Sequence, residues 1–594
     1  MIKSKKITFD IKLFKKILKF SKNFRLTYYL LLFSAIALSV FSTLQPYLLK
    51  IIIDDYIIPK DYKGLQILVL VVVLILVLEV LFQAMFIFYA SWLGQKVVKE
   101  LRVVLYNKIV NFKMSYFDNT AIGRLVTRAV SDIEVVASIF SQGLFMILAD
   151  FLKMGIIIIV MISINFKLSL IVFSILPIIV YATKLFQRSM KRAFEDVRNQ
   201  VAELNTFIQE RINGMKIVQL FNREKIDFKI FKEINESHKK AWLKTVWYNS
   251  IFFPVAEIST SITIGLLVWY GGLEAALYQT TSIGTIFLFI KMSQMLFQPL
   301  RQIADKFNTL QMGMVAADRV FNIIETESNI KDEGKIHKHI FKGLIEIKNL
   351  RFSYNKGEEV LKGINLKINS GEKIAIVGAT GAGKTTIINL ITRFYDFSQG
   401  DILFDGISIK KFNLKVLRKN VAMVLQNVFL FADSIHNNIS IYDSKLSRDK
   451  IITAAKEIGI HDFISTLPKN YDYDVKERGV MLSSGQRQLI SFLRAYLINS
   501  SILILDEATS SIDSYSEELI QKAIEKITKG KTSIIIAHRL ATIKKADRII
   551  VMDKGKIVEQ GNHYELMNIT NGFYYKLYNS QFFHNDLIKE KDLY

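Results

Sequence analysis

The sequence predicts a membrane α-helical bundle of six transmembrane helices with long cytoplasmic extensions, fused to an α/β domain. Three observations carry this. Apolar runs long enough to cross a bilayer fill the first half of the chain; Lys and Arg gather in two of the connections between them; and after about residue 314 short β-branched runs alternate with helical patterns. With 594 residues, 51% of them apolar and 22% charged, the chain exceeds one ordinary domain and is too apolar for a soluble protein of this length.

The elements follow in order. Residues 11–20 read as a short amphipathic helix on the inner membrane face, preceded by Lys3, Lys5 and Lys6, with no small-residue site of the kind that ends a cleaved signal peptide. Candidate spans run near 26–53, 65–93, 137–164, 166–187, 247–272 and 281–313, the second being clearest because Ile67–Leu78 carries no charge, while the fifth and sixth are less pure and rest partly on the family resemblance given below. The long connections 94–136 and 188–246 hold Lys96, Lys99, Arg102, Arg124, Arg188, Lys191 and Arg211, whereas the other connections are short and nearly neutral, so the long ones are cytoplasmic. The expected division is 1–25 as a cytoplasmic N-terminus with the amphipathic helix, 26–325 as the membrane domain, 326–341 as a polar linker, 342–582 as the α/β domain and 583–594 as a tail. Strands are expected in IEIKNLRF, EKIAIVG, NVAMVLQ, SILILDEA, TSIIIAH and RIIVMDKGKIVEQG, and no internal repeat is seen.

Composition removes several classes of chemistry. The absence of cysteine excludes disulfides, zinc–thiolate sites and thiol catalysis. The net charge of +24 suggests nucleic acid or an anionic membrane face; its basic residues lie between the apolar runs, which favours the membrane and predicts no nucleic-acid partner.

Strand Lys373–Val377 runs into Gly378-Ala379-Thr380-Gly381-Ala382-Gly383-Lys384-Thr385, followed by a helix expected over Thr386–Tyr395. This is a phosphate-binding loop in its required strand–loop–helix setting. Its glycines let backbone N–H groups converge on phosphates, Lys384 neutralises the β and γ phosphates, the Thr385 hydroxyl coordinates Mg²⁺, and the helix N-terminus adds a positive dipole end. About 120 residues later the apolar strand Ile502–Leu505 ends in Asp506 and Glu507. Asp506 is placed to hold the metal shell and Glu507 to orient or deprotonate an attacking water. Alone, such a pair is usually a plain strand end; paired with the loop it points to ATP hydrolysis.

Between these anchors stands Leu482-Ser483-Ser484-Gly485-Gln486, which resembles the Leu-Ser-Gly-Gly-Gln signature of the ATP-binding cassette family, and the resemblance covers nearly the whole chain. It implies further roles. Tyr354 looks like the aromatic that stacks on adenine, Gln426 like the glutamine that senses metal and water, and His538 like the switch histidine on the γ-phosphate. Glu477-Arg478-Gly479 resembles an exporter-specific stretch, and Ser510-Ser511-Ile512-Asp513 the loop that crosses between cassettes. Ser115–Asp118 with Gly123–Leu125, and Gly214–Phe221, resemble the two cytoplasmic coupling loops. The implied catalytic set is Glu507, His538 and Gln426. Nucleotide is expected on Tyr354, Gly378, Thr380, Gly381, Ala382, Gly383, Lys384, Thr385 and Thr386, with Ser483, Gly485, Gln486 and Asp513 serving the shared interface, and Mg²⁺ on Thr385, Gln426 and Asp506. The fold implied is a type I/IV exporter in the cytoplasmic membrane, both chain ends and the ATPase domain on the cytoplasmic side, working by alternating access as one half of a dimer.

Ser484 departs from the family, where glycine is usual. Either serine is small enough to be tolerated, or the chain resembles the glutamate-bearing half of a heterodimeric bacterial exporter whose partner has a standard signature; the heterodimer is the expectation, a homodimer the alternative. Glu79, Asp150, Lys153 and Lys291 lie in or near the spans. Asp150 and Lys153, three residues apart, are expected to meet on one helical face, and Lys291 either faces the cavity or snorkels. Expected cargo is a small hydrophobic or amphipathic molecule, drug-like or lipid-like, with membrane lipids as surroundings. A membrane-tethered regulatory ATPase and an ATP-gated conduit are the competing classes.

Overall fold

The computed structural model describes residues 11–20, 24–278, 280–328, 332–355, 357–506, 514–537 and 540–581. The chain forms two compact units: Met1–Val110 with Thr120–Glu327, and Asn111–Asn119 with Ser328–Tyr594.

The first unit is helical. Among the described residues, six helices are long and apolar enough to cross a membrane: Arg25–Ile57, Tyr62–Val110, Ile122–Ile164, Phe166–Asn213, Glu224–Tyr278 and Ile283–Glu325, called spans 1 to 6 below. Spans 2 to 6 are about twice as long as the roughly 20 residues a bilayer needs, so their helices continue well past the membrane core. Span 2 leaves Ile67, Leu70, Leu74 and Val77 exposed, as suits a helix solvated by lipid tails. One buried cluster joins spans 3 to 6, where Ile157, Met161, Leu168, Leu267, Leu288, Phe289 and Phe297 pack together, and another joins spans 1, 2, 3 and 6 through Leu31, Phe86, Leu93, Phe140 and Leu310. Helix Ile11–Phe20 buries Leu13 and Ile17 and leaves its lysines outward. The Phe20 ring packs on Phe321, and Lys16 pairs with Glu325.

Asp150 and Lys153 share one helical face, as their spacing predicts, but the ion pair forms with another helix. Asp150 pairs with Lys306 of span 6, both largely buried, rather than forming its ion pair with Lys153. Spacing along one helix shows which residues share a face, but the neighbouring helix offered a better-placed ammonium.

Among the described residues the second unit holds ten strands: β1 (Ile345–Phe352), β2 (Leu361–Ile368), β3 (Lys373–Gly378), β4 (Gln399–Phe404), β5 (Ile407–Ser408), β6 (Val421–Val424), β7 (Ile502–Asp506), β8 (Thr532–Ile536), β9 (Arg548–Asp553) and β10 (Lys556–Gly561). One sheet runs β10-β9-β3-β8-β7-β6, parallel except for β10, which pairs antiparallel with β9. β7 and β8 are buried along their whole length and β3 nearly so, as a parallel sheet covered on both faces requires. The other sheet, β2-β1-β4-β5, is antiparallel. A helical layer, including Arg448–Ile458 and Ser484–Leu497, packs onto the parallel sheet through Ile451, Ile458, Leu489, Leu493 and Leu505. The short helix Met114–Asp118 groups with this unit, and Asp118 accepts a hydrogen bond from Tyr395.

Candidate functional site

The site lies along the carboxyl edge of the parallel sheet. Ile376 of β3 and Asp506 of β7 both stand opposite Ile536 of β8, and Val424 of β6 stands opposite Leu505. Gly378, Asp506 and Gln426 therefore leave strands of one sheet at nearly one level, although the sequence separates them widely. With strands about 4.8 Å apart, Asp506 sits roughly 10 Å across the sheet from the loop that follows β3. This is where open parallel sheets bind ligands.

The loop itself is built by backbone conformation. Gly381 and Gly383 have φ of +84° and +99°, values a side chain tolerates poorly. At Gly383 an added Cβ would also come within 2.8 Å of Leu361. Gly378 is held by close approach, because a Cβ there would stand 2.2 Å from the carbonyl oxygen of Met552. The helix begins directly at Lys384 and ends at Ile391, two residues earlier at its start and four earlier at its end than the sequence pattern suggests. Gly383 as a left-handed cap releases the chain into the helix at once, which aims the first-turn N–H groups into the loop.

Lys384 is buried, and its Nζ donates to the carbonyl oxygens of Gly378 at 2.6 Å and Ala379 at 3.1 Å. An ammonium folded over a concave, N–H-lined loop suits the polyphosphate of ATP. Thr380, Gly381 and Thr385 are exposed at the loop's rim, whereas Ala382 and Thr386 are buried. Tyr354 is half exposed; its hydroxyl donates to Thr386 Oγ1 at 3.2 Å and accepts from Asn389 Nδ2 at 3.3 Å. Tyr395 packs edge-on against the Tyr354 ring with centroids 5.0 Å apart. The proposed adenine-stacking ring is thus tied to the helix that follows the phosphate loop.

Asp506 is buried at the end of β7, and Gln426 is exposed just beyond β6. Ser483 caps helix Ser484–Leu497 in a reciprocal box: its hydroxyl accepts from Gln486 N at 3.2 Å, and its own N–H donates to Gln486 Oε1 at 2.9 Å. Gly485 is buried in the first turn. Ser484, the first helical residue, is exposed and does not adopt a left-handed backbone. Arg487 Nη1 donates to Leu482 O at 2.9 Å and Gly479 O at 3.3 Å, so the Glu477–Gly479 turn is fastened to the signature helix. Glu507, Asp513 and His538 lie outside the described residues.

Two features escaped sequence reasoning. Arg494 donates to Asn438 O at 2.5 Å, Phe429 O at 2.9 Å and Asn438 Oδ1 at 2.9 Å, tying the signature helix to the segment after Gln426. Burial pushes this guanidinium down to about 10. No local signal marks Arg494 among the chain's many basic residues. The other is the set Gln294, Gln298 and Arg301, which lines a cavity of spans 1, 5 and 6 beside Lys291; only Lys291 was named from the sequence, although the helical spacing of all four was readable.

Residues 28–300 match the family described as the ABC transporter transmembrane region, and residues 361–510 match that described as ABC transporter. The chain is 35% identical over 574 residues to an ATP-dependent lipid A-core flippase of Syntrophus aciditrophicus, covering 96% of this chain and 94% of that protein. It is 35% identical over 523 residues to a "probable multidrug resistance ABC transporter ATP-binding/permease protein" of Bacillus subtilis, covering 88% and 77%. To an uncharacterized ABC transporter ATP-binding protein of the same organism it is 34% identical over 540 residues, covering 90% and 89%. Six spans, a phosphate-loop cassette and both family matches along one chain make this protein a member of the ABC transporter family: an ATP-driven exporter half-transporter, multi-pass in the membrane, with a cytoplasmic ATPase domain.

Proposed function

We propose that the chain exports hydrophobic or amphipathic molecules, drug-like or lipid-like, as the hydrolysing half of a heterodimer. The membrane domain is assigned to 26–325, the linker to 326–341 and the ATPase domain to 342–582. ATP supplies the binding and hydrolysis energy that alternates the two states. Lys384 and the loop from Gly378 to Thr386 bind its phosphates, and Tyr354, steadied by Thr386 and Asn389, receives the adenine. Thr385, Gln426 and Asp506 offer the hydroxyl, amide and carboxylate oxygens that suit Mg²⁺. Glu507 orients or deprotonates the attacking water, and His538 holds the terminal phosphate. Ser483, Gly485 and Gln486 face the partner's nucleotide, with Asp513 crossing between cassettes.

The observation that carries this reading is the buried Lys384 folded over the Gly378–Gly383 loop in a chain that also holds six spans. The cargo class is supported by relatives named for lipid A-core and multidrug transport. The heterodimer is supported by Ser484 beside an intact Glu507. A homodimer remains the second reading, favoured by the ordinary helical backbone at Ser484, which needs no glycine. Subunit composition of the complex drawn from native membranes by a tag on this chain tests the pairing. A second, different cassette chain in equal amount is expected; two copies of this chain alone would overturn the heterodimer and leave two equivalent sites.

A further inference from the structure

Span 6 places Lys291, Gln294, Gln298 and Arg301 at spacings of three, four and three, which is one face of a helix. Its other face is apolar, with Leu288, Phe289, Met292, Leu296 and Phe297 fully buried. The polar face lines a cavity of about 480 Å³, shared with Gln45 and Leu49 of span 1 and with Glu257 and Thr260 of span 5. That volume is within the range of small-molecule sites.

The charges in this cavity do not cancel. Arg301 Nη1 donates to Glu257 Oε2 at 3.0 Å, and Nη2 donates to Ala256 O at 3.1 Å and Thr260 Oγ1 at 2.5 Å. Those two charges neutralise each other. Lys291, about 15 Å further along the helix by its rise per residue, is exposed and has no hydrogen-bond or ion-pair partner among the described residues. An ammonium without a counter-charge in an apolar span is costly, and such groups mark the path of a polar cargo group. Gln294 and Gln298 set neutral N–H donors beside it, and Met295, Pro46 and Leu49 supply an apolar wall.

We propose that this cavity receives the anionic head of an amphipathic molecule, a phosphate or carboxylate on an apolar tail, with Lys291 as its counter-ion. Gln294 and Gln298 donate to the head, and the tail lies against Met295 and Leu49. A cationic amphipath leaves Lys291 facing a like charge and is disfavoured. This deepens the exporter reading by naming a cargo class, but binding itself needs no nucleotide.

The test is binding, without nucleotide, of a fluorescent twelve-carbon chain ending in phosphate, trimethylammonium or maltoside. The full-length protein is held in phosphatidylcholine nanodiscs, and empty discs are subtracted. The phosphate-ended probe is expected to bind about tenfold more tightly than the trimethylammonium one, Lys291→Gln to abolish that preference, and Lys291→Arg to keep it. Equal affinity for all three heads, or a preference that survives Lys291→Gln, overturns the proposal. Displacement by inorganic phosphate at the same concentration as dodecyl phosphate overturns the amphipathic part. Loss of ATP-driven accumulation in the wild type would strike the exporter reading and leave this binding result standing.

Discussion

Arg494, in the last turn of the signature helix, donates from Nη2 to Asn438 Oδ1 at 2.9 Å, and Asn438 is fully buried. Asn438 in turn accepts from Phe431 N–H at 2.8 Å and donates to Phe431 O at 2.9 Å. One arginine and one asparagine thus hold the segment beyond Gln426 against the helix that begins at Ser484. Arg494→Ala leaves several buried acceptors without a donor and is expected to destabilise the ATPase domain by about 2–4 kcal/mol. Arg494→Lys keeps a charge but loses the planar fork, so it restores only part of this. Thermal unfolding of the purified full-length variants checks both; an unchanged melting temperature in Arg494→Ala would contradict it.

The phosphate loop makes a second prediction. Lys384→Ala removes the buried ammonium and is expected to lower ATP hydrolysis at least about 100-fold. Gly383→Ala is expected to lower it too, through backbone strain at φ +99° and crowding by Leu361. Steady-state phosphate release reads both. Near-normal turnover in either variant would contradict the geometry.

How much of this was legible in the sequence follows from the range of the forces involved. Spans 1 to 4 were readable because each apolar run is a local, length-bound signal, whereas polar residues such as Glu257, Lys291 and Arg301 dilute spans 5 and 6, which rested partly on the family resemblance. β3, β7 and β8 stood out as apolar runs buried on both faces. β2 and β4 did not, because Lys362, Gly363, Lys367 and Asp401 dilute strands whose place is set by pairing on either side of β1. The start of the helix at Lys384 depends on the left-handed turn at Gly383, which apolar periodicity does not report. The Asp150–Lys306 pair and the Arg494–Asn438 clamp join residues 156 and 56 positions apart, and only packing brings them together.

That ion pair is itself testable. Asp150→Asn leaves Lys306 largely buried beside a neutral partner and is expected to cost about 3–5 kcal/mol. Lys153→Gln, which leaves the pair intact, is expected to cost less. Melting of both variants in the same detergent decides the order, and the reverse order would contradict the pairing.

A pH dependence follows from Asp433. Hydrogen bonds from the Tyr442 hydroxyl at 2.6 Å, the Ser434 N–H at 2.6 Å and the Asn437 amide at 2.9 Å hold its carboxyl below the ordinary 3.8. A folded value below the unfolded one means that the carboxylate stabilises fully above the ordinary value. That stabilisation is lost as pH falls through the folded value. The melting difference between wild type and Asp433→Asn is expected to be constant near about pH 6 and to shrink in acid below the ordinary value. A difference that grows on acidification would contradict the sign.

The most direct measurement is ATP-dependent accumulation of an amphipathic fluorescent probe in inside-out vesicles carrying the assembled transporter, with wild type beside Glu507→Gln. Accumulation that requires ATP and stops in Glu507→Gln, with ATP still bound, is the expected result. ATP hydrolysis with no accumulation of any probe, or accumulation undiminished in Glu507→Gln, would contradict an exporter driven by this cassette.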